Sequence, residues 1–403
     1  MTTTAIDTDL LTPLAAYLQL RAHGRAAFLL ESVEQGRLGR YSLVGCGERI
    51  VTFEEAERAQ APVVGYLAYD HVARLEPTVR LPDAGAGLPE SRFVVAEVLL
   101  RFDHVKGVAE VLCGEPQLED PKRSLAPPDV GHRASTVRIP DAETYMRGVE
   151  ACKEHIRRGD AFQIVLSQRA ERRTDVAAVE LYRALRRVNP SPYLFLLELD
   201  GIALVGSSPE THVKLEGTRA SVNPIAGSTA VGDGDAERLL GSDKDRAEHV
   251  MLVDLGRNDL SRVCVPGTVK VERFLETERF SHITHLVSEV AGELRAGVSS
   301  FDLLRATFPA GTVSGAPKVR AMQIISELEG YRRGPYAGVV MYALPGGTLD
   351  ACIAIRTVVL HEGRALMQAG AGIVADSDPA AEHEECLRKL AALDAALDLA
   401  EAR

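Results

Sequence analysis

Apolar positions along the chain follow two different periods, and the switches between them mark out its elements. In "DAETYMRGVEACKEHIRRGD", Tyr145, Val149, Cys152 and Ile156 recur at helical spacing, with Asp141 as a cap and Gly159 as a stop. "AFQIVLSQR" then has the apolar run of a strand, and a second helix is predicted from about Val176 to Val188, stopping at Asn189-Pro190. In "YLFLLELDGIALVG" two apolar runs flank Asp200-Gly201, a strong hairpin signal, and "HVKLEGTRASV" repeats it around Gly217. "GVVMYALPGGTLDACIAIRTVVLHEGRALMQAGAGIV" predicts three further strands joined by tight glycine turns. Helices are expected in "GAPKVRAMQIISELE" and in the final "DPAAEHEECLRKLAALDAALDLAEA". Hairpins rather than strand–helix–strand alternation imply an α+β fold, with mainly antiparallel sheets and helices packed outside them.

One break stands out. "EPQLEDPKRSLAPPDVGHRAST", 115–136, carries four prolines and mixed charge, and divides an N-terminal lobe, 1–115, from a larger region, 135–403. The 403 residues suffice for a large core, and 46% hydrophobic with 26% charged residues is ordinary for a globular enzyme. A net charge of -11 argues against nucleic acid or an anionic membrane as the main partner. No apolar run reaches the length of a membrane span, and "MTTTAIDTDL" lacks the basic and apolar regions of a secretory signal, so a cytoplasmic protein is expected. Cys46, Cys113, Cys152, Cys264, Cys352 and Cys386 show no metal-ligand or redox spacing.

Two glycine-rich stretches imitate nucleotide sites. "VNPIAGSTAVGDG" has Gly227 and Gly232 at phosphate-loop spacing, but Asp233 stands where a lysine would be needed. In "GAGIVA", Gly370, Gly372 and Ala375 fit a dinucleotide pattern, yet "IVADSDP" stays extended, and the next helix cap comes only at Asp378-Pro379. The chemistry concentrates elsewhere. Asp245 and Glu248 lie one turn apart on a predicted helix, as do Glu382 and Glu385 on the last one. Two such pairs can hold a hard cation such as Mg²⁺, or simply sit in solvent beside Arg388 and Lys389. His282 and His285 suit either proton transfer or a structural hydrogen bond. "FPAGTVSGAPK" gathers hydroxyls, amides and a helix start suited to a carboxylate. "ACIAIRTVV" puts Arg356 in an apolar strand, where an unpaired guanidinium is costly; it faces a ligand carboxylate or a structural ion pair.

Taken together, "AFLLESVE", "GRYSLVG", "GDAFQIVLSQR", "GSSPE", "PIAGS", "DRAEHVMLVDLGRNDLSRV", "FPAGTVSGAPKVRAM", "RRGPYAGVV", "CIAIRT" and "QAGAGIVADSDP" resemble the chorismate-utilising enzymes over nearly the whole chain. Within that family they are similar to the large subunits of anthranilate synthases. The resemblance implies two facing sheets wrapped by helices around a deep central cleft. It implies Glu248 and Glu385 as Mg²⁺ ligands with Asp245 and Glu382 nearby. Gly227, Ser228, Thr312, Tyr336, Arg356, Gly370, Ala371 and Gly372 would hold chorismate. Glu210 would be the general acid for the departing C4 hydroxyl, and His285 would take the C2 proton when pyruvate is eliminated.

The same resemblance identifies what is missing. Relatives that use a lysine nucleophile carry it where this chain has Ala226, and those that activate water carry a lysine where it has Gln163. The implied nucleophile is therefore external ammonia, delivered by a glutamine amidotransferase subunit (component II). The product is anthranilate, or 2-amino-2-deoxyisochorismate if the reaction stops early; a homologue that binds chorismate or tryptophan without turnover is the remaining reading. Tryptophan would inhibit through Leu30, Glu31, Ser32, Pro192, Tyr193, Val340 and Tyr342. The family's "PIAGTR" is here "PIAGST", so Ser228 keeps a hydroxyl while Thr229 replaces an arginine, and the region between Arg49 and Gly65 is shorter than usual.

Overall fold

The computed structural model describes residues 5–8, 10–34, 37–118, 134–230, 232, 234–279 and 283–402. Asp233, His282 and most of the proline-rich segment fall outside the described residues, as does the side chain of Ser228. Among the described residues the strands build two sheets, of twelve and ten, every pairing antiparallel. The N-terminal third enters both. Leu194 pairs with Glu31 in the first sheet, and Val339 with Leu67 in the second.

Strand alternation sorts the apolar residues into layers. Phe195, Leu197 and Leu199 of Tyr193–Leu199 face inward and meet Val64, Tyr66, Val340 and Cys352 of the other sheet. Leu194 and Leu196 face outward onto the helices Ala178–Val188 and Pro379–Glu401. On the far side, Val339, Met341 and Ala351 pack under Ser300–Thr307 and Lys318–Glu329. The fold is thus helices, sheet, sheet, helices.

Local signals act as expected. The helix Ala142–Arg157 starts where the Asp141 side chain accepts from the Thr144 N–H at 2.8 Å, and Gly159 follows its end. Asp200 and Gly201 take positive φ, 49° and 85°, as a tight hairpin turn of matching twist requires. Strand Arg364–Ile373 runs straight through Gly370 and Gly372, with the next helix beginning at Pro379. Arg356 departs from expectation. Strand Thr348–Ile353 has ended and Thr357–His361 has not begun, so Arg356 lies between strands with φ 49°. No helix among the described residues is long and apolar enough to cross a membrane.

Candidate active site

Of the short links that carry the chain between the sheets, two neighbouring ones each hold a charged residue of the site. Strand Ile202–Ser208 belongs to the first sheet and Thr211–Glu216 to the second, so Glu210 sits at the crossing. Arg356 sits where the chain crosses back, and its carbonyl accepts from the Ser207 N–H at 3.1 Å. The Glu210 N–H donates to Ser208 Oγ (3.3 Å), and its carbonyl accepts from Ile353 N–H (3.1 Å), fixing the backbone on both sides. Desolvation pushes the Glu210 carboxyl up to about 7, against the pull of the Thr312 hydroxyl, Lys389 and Arg356. Thr312 Oγ1 is buried near this carboxyl without a formed hydrogen bond. Burial lowers the Arg356 guanidinium, partly offset by Glu210, and Arg356 makes no side-chain hydrogen bond or ion pair with any described residue. A cation held this way calls for an anion from outside.

Around this pair, close approaches of backbone and side chain assemble a pocket wall. A Cβ on Gly370 would lie 2.8 Å from both Tyr336 Oη and the Leu166 carbonyl oxygen, so the tyrosine hydroxyl rests directly over the strand. On Gly372 it would lie 2.5 Å from Gln163 Nε2, which in turn donates to Glu248 Oε1 at 2.8 Å. Glu385 reaches the same strand through Lys389, whose Nζ is 2.7 Å from Glu385 Oε1 and donates to the Gly370 carbonyl at 2.7 Å. Both glutamates are therefore tied to Gly370–Gly372, each by one intermediary.

His285 and the loop at Gly227 meet across a bulge. Ser228 pairs with His285, and the register shifts between Ala226 and Ser228, with Gly227 at φ 74°. A Cβ there would meet Asp245 Cβ at 3.1 Å, which sets the loop against helix Asp243–Ser261, the helix of Glu248. Desolvation depresses His285 below the ordinary imidazole range; a backbone contact at Gly227 and Glu278 oppose this, while Arg356 adds to it. The ring is accordingly a neutral base near pH 7.

Glu248 and Glu385 offer hard oxygen donors, and Gln163 adds a buried Oε1 with no partner. No group of three or more His, Cys, Asp or Glu side chains among the described residues is arranged to hold a metal. Mg²⁺ needs only one or two protein carboxylates and completes its shell with water and substrate, so this donor set fits it. Asp245 and Glu382 lie on the same two helices as these glutamates.

The residues matched to tryptophan binding divide. Tyr193, Leu30, Val340 and Tyr342 lie in the layer between the sheets, with the Tyr193 hydroxyl 2.8 Å from Thr211 Oγ1 and 3.2 Å from Asp350 Oδ1. Ser32 and Pro192 are half-buried neighbours in sequence. The Glu31 carboxylate faces the other way, bonded to the Tyr182 hydroxyl and to Arg186.

Sequence reasoning missed the support beneath the site. Arg333 is 4% exposed; it pairs with both Glu329 oxygens and donates to the carbonyls of Val313 and Val165, each at 2.7 Å. It also lies over the rings of Tyr336 and Tyr69. One cation thereby fixes the Thr312 turn, the strand of Gln163 and the Tyr336 ring. The Glu329–Arg333 spacing of four was visible, but nothing in the sequence said the pair was buried.

A family model described as chorismate binding enzyme matches residues 17–395. The chain is 41% identical to "Anthranilate synthase component 1" of Thermus thermophilus, over 98% of this chain and 97% of that protein. It superposes on the crystal structure of anthranilate synthase component I from Streptococcus pneumoniae with TM-score 0.77 and 32% identity, covering 96% of this chain and 99% of that one. The menaquinone-specific isochorismate synthase of Escherichia coli shares the fold, with TM-score 0.79 at 21% identity over 98% and 94% of the two chains.

Proposed function

Because the chain belongs to the chorismate binding enzymes, we propose that it is the large subunit of an anthranilate synthase, turning chorismate and ammonia into anthranilate and pyruvate for tryptophan biosynthesis in the cytoplasm. A glutamine amidotransferase subunit, component II, supplies the ammonia. The observation that carries the reading is the unpaired Arg356 guanidinium beside a carboxyl raised to about 7: an anchor for a substrate carboxylate next to a group still protonated near neutral pH.

In this reading Arg356, Thr312, Tyr336 and the amides of Gly370, Ala371 and Gly372 hold the carboxylates of chorismate. Glu210 gives its proton to the C4 hydroxyl as nitrogen adds at C2, and neutral His285 removes the C2 proton as pyruvate departs. Glu248 and Glu385, held by Gln163 and Lys389, would bind Mg²⁺, which when present polarises a substrate carboxylate. Ala226 and Gln163 leave no lysine to act as nucleophile or water activator, which favours ammonia.

The direct test is product analysis with chorismate, Mg²⁺ and ammonium, following anthranilate fluorescence, for which a chain without tryptophan gives low background. Anthranilate with equimolar pyruvate is expected. An amino product without pyruvate would assign the chain to the aminodeoxyisochorismate branch, and no turnover would leave a binding homologue. In the same assay, Gly370→Ala is expected to raise KM for chorismate about tenfold, because neither the Leu166 backbone nor Tyr336 has room for the methyl. An unchanged KM in folded G370A would remove this strand from the binding wall. Inhibition by tryptophan through the layer around Leu30, Tyr193, Val340 and Tyr342 is the regulatory part of the proposal, read by adding tryptophan to the assay.

A further inference from the structure

Beside Glu210 lies a recess of about 50 Å³ lined by Glu210, His212, Asn223, Asp259, Thr307 and Thr312. His212 reaches it through a β-bulge. The pairing shifts between Thr211 and Val213, which leaves His212 as the extra residue, and bulges of this kind re-aim a side chain beside a site. The ring is 4% exposed, and burial, with Lys318 nearby, lowers it to about 3, so it is neutral. Its Nε2 is 3.1 Å from Thr307 Oγ1, whose hydroxyl donates to the Leu303 and Leu304 carbonyls and so accepts from the ring, while Nδ1 is buried without a partner. Thr312 Oγ1, on another lining residue, is buried without a partner too. Two unsatisfied polar atoms on one recess, with volume for roughly one or two water molecules, are the conditions under which buried water is retained.

Leu255 and Asp259 also line a second, larger recess of about 530 Å³ that includes Glu76, Asn258 and Arg262. Asp259 is held there by Lys318 Nζ at 2.7 Å, and the same ammonium donates to the Thr307 carbonyl at 3.1 Å. Hydrogen bonds through Lys318 thus join Asp259 to Thr307 and His212, which line the first recess with Glu210.

We propose that ordered water in this recess, oriented by His212 Nδ1 while Thr307 holds the ring, returns a proton to Glu210 in every turnover. The inference rests on the reading of Glu210 as the general acid. In that step the C2–N bond forms, the C4–O bond breaks, and the hydroxyl leaves as water with the proton of Glu210. The added nitrogen releases one proton to solvent, and Glu210 takes up one through the recess, so the balance closes. A route past the bound substrate is a poor one, because the cations Arg356 and Lys389 act on Glu210 there.

Thr307→Val, nearly isosteric, and His212→Leu test the relay, with Glu210→Gln as reference. At saturating chorismate and ammonia, both relay variants are expected to lose about tenfold or more in kcat. KM for chorismate should stay within about twofold, since the substrate wall is untouched. The solvent deuterium isotope effect on kcat should rise as proton return becomes limiting. If E210Q is inactive while both relay variants keep the parent kcat and isotope effect, the relay is wrong and the acid assignment survives. If E210Q turns over normally, the acid assignment fails and the relay with it. Melting temperatures establish folding; should H212L not fold, T307V decides alone. A high-resolution crystal structure with a dry recess would also overturn the proposal.

Discussion

Glu210→Gln is expected to lower kcat about a thousandfold while KM for chorismate changes only a few-fold, the pattern of a group needed in the transition state rather than for binding. The amide keeps the size of the carboxyl and its seat between Ser208 and Ile353, but has no proton to give. The pH profile makes the test sharper. Burial raises the folded pKa of Glu210 to about 7, so the acid form is present below that value and lost above it. Plotted against free ammonia rather than total ammonium, kcat/KM should fall on the alkaline side with a midpoint near 7. The acid limb belongs to His285, which is depressed and so keeps its neutral form to lower pH than an exposed histidine. The residual activity of E210Q should lack the alkaline limb. A variant with the parent rate and an unchanged limb would assign the acid elsewhere. The raised carboxyl also has a cost to folding: above the ordinary carboxylate range the unfolded chain has lost this proton and the folded chain has not, so stability declines as pH rises through that interval.

Arg356→Met is expected to act in the other direction on the kinetic constants, raising KM for chorismate by about a hundredfold or more. A buried guanidinium bonded to a carboxylate contributes a few kcal/mol, and about 2.7 kcal/mol corresponds to that factor. Methionine preserves the apolar stem, and no described residue loses an ion pair, so the fold should be kept. Isothermal titration with chorismate in the absence of ammonia separates binding from turnover. Equal affinity for parent and R356M would show that the guanidinium serves the structure and not the ligand. A second effect follows from the contact with Glu210: without the cation its carboxyl rises further, moving the alkaline limb upward.

Which features were legible depends on how local their causes are. Asp141 with its helix, and the Asp200-Gly201 turn, are decided by neighbours in sequence, and both were readable. The pairing of Glu385 with Lys389 was also visible as an i,i+4 spacing, although the spacing did not reveal that Lys389 simultaneously reaches Gly370. Arg356 was placed within an apolar strand because "CIAIRTVV" has no turn residue; its left-handed backbone is imposed by the passage between sheets. The direction of Glu31 was hidden for a related reason. "FLLES" is apolar on both faces up to Leu30, so alternation could not assign a face, and only Tyr182 and Arg186 do so. His212 and Arg333 were missed because a bulge and a buried cation network are properties of long-range pairing. The catalytic assignments of Glu210, Glu248, His285 and Glu385 came from family resemblance, since two acid pairs on helix faces have no direction of their own.

The two crossings have an effect on the core. Glu210 and Arg356 hang on two links that cross between the sheets side by side, joined by the hydrogen bonds from the Ser207 N–H to the Arg356 carbonyl and from the Ile353 N–H to the Glu210 carbonyl. The span each link must cross is set by the inner layer, where Phe195, Leu197 and Leu199 of one sheet meet Val64, Tyr66, Val340 and Cys352 of the other. The inner apolar side chains are therefore a spacer as much as a core. Thickening or thinning them by a methylene strains the short links that carry acid and anchor before it threatens the fold, so variants selected for heat resistance through this layer would sacrifice turnover first.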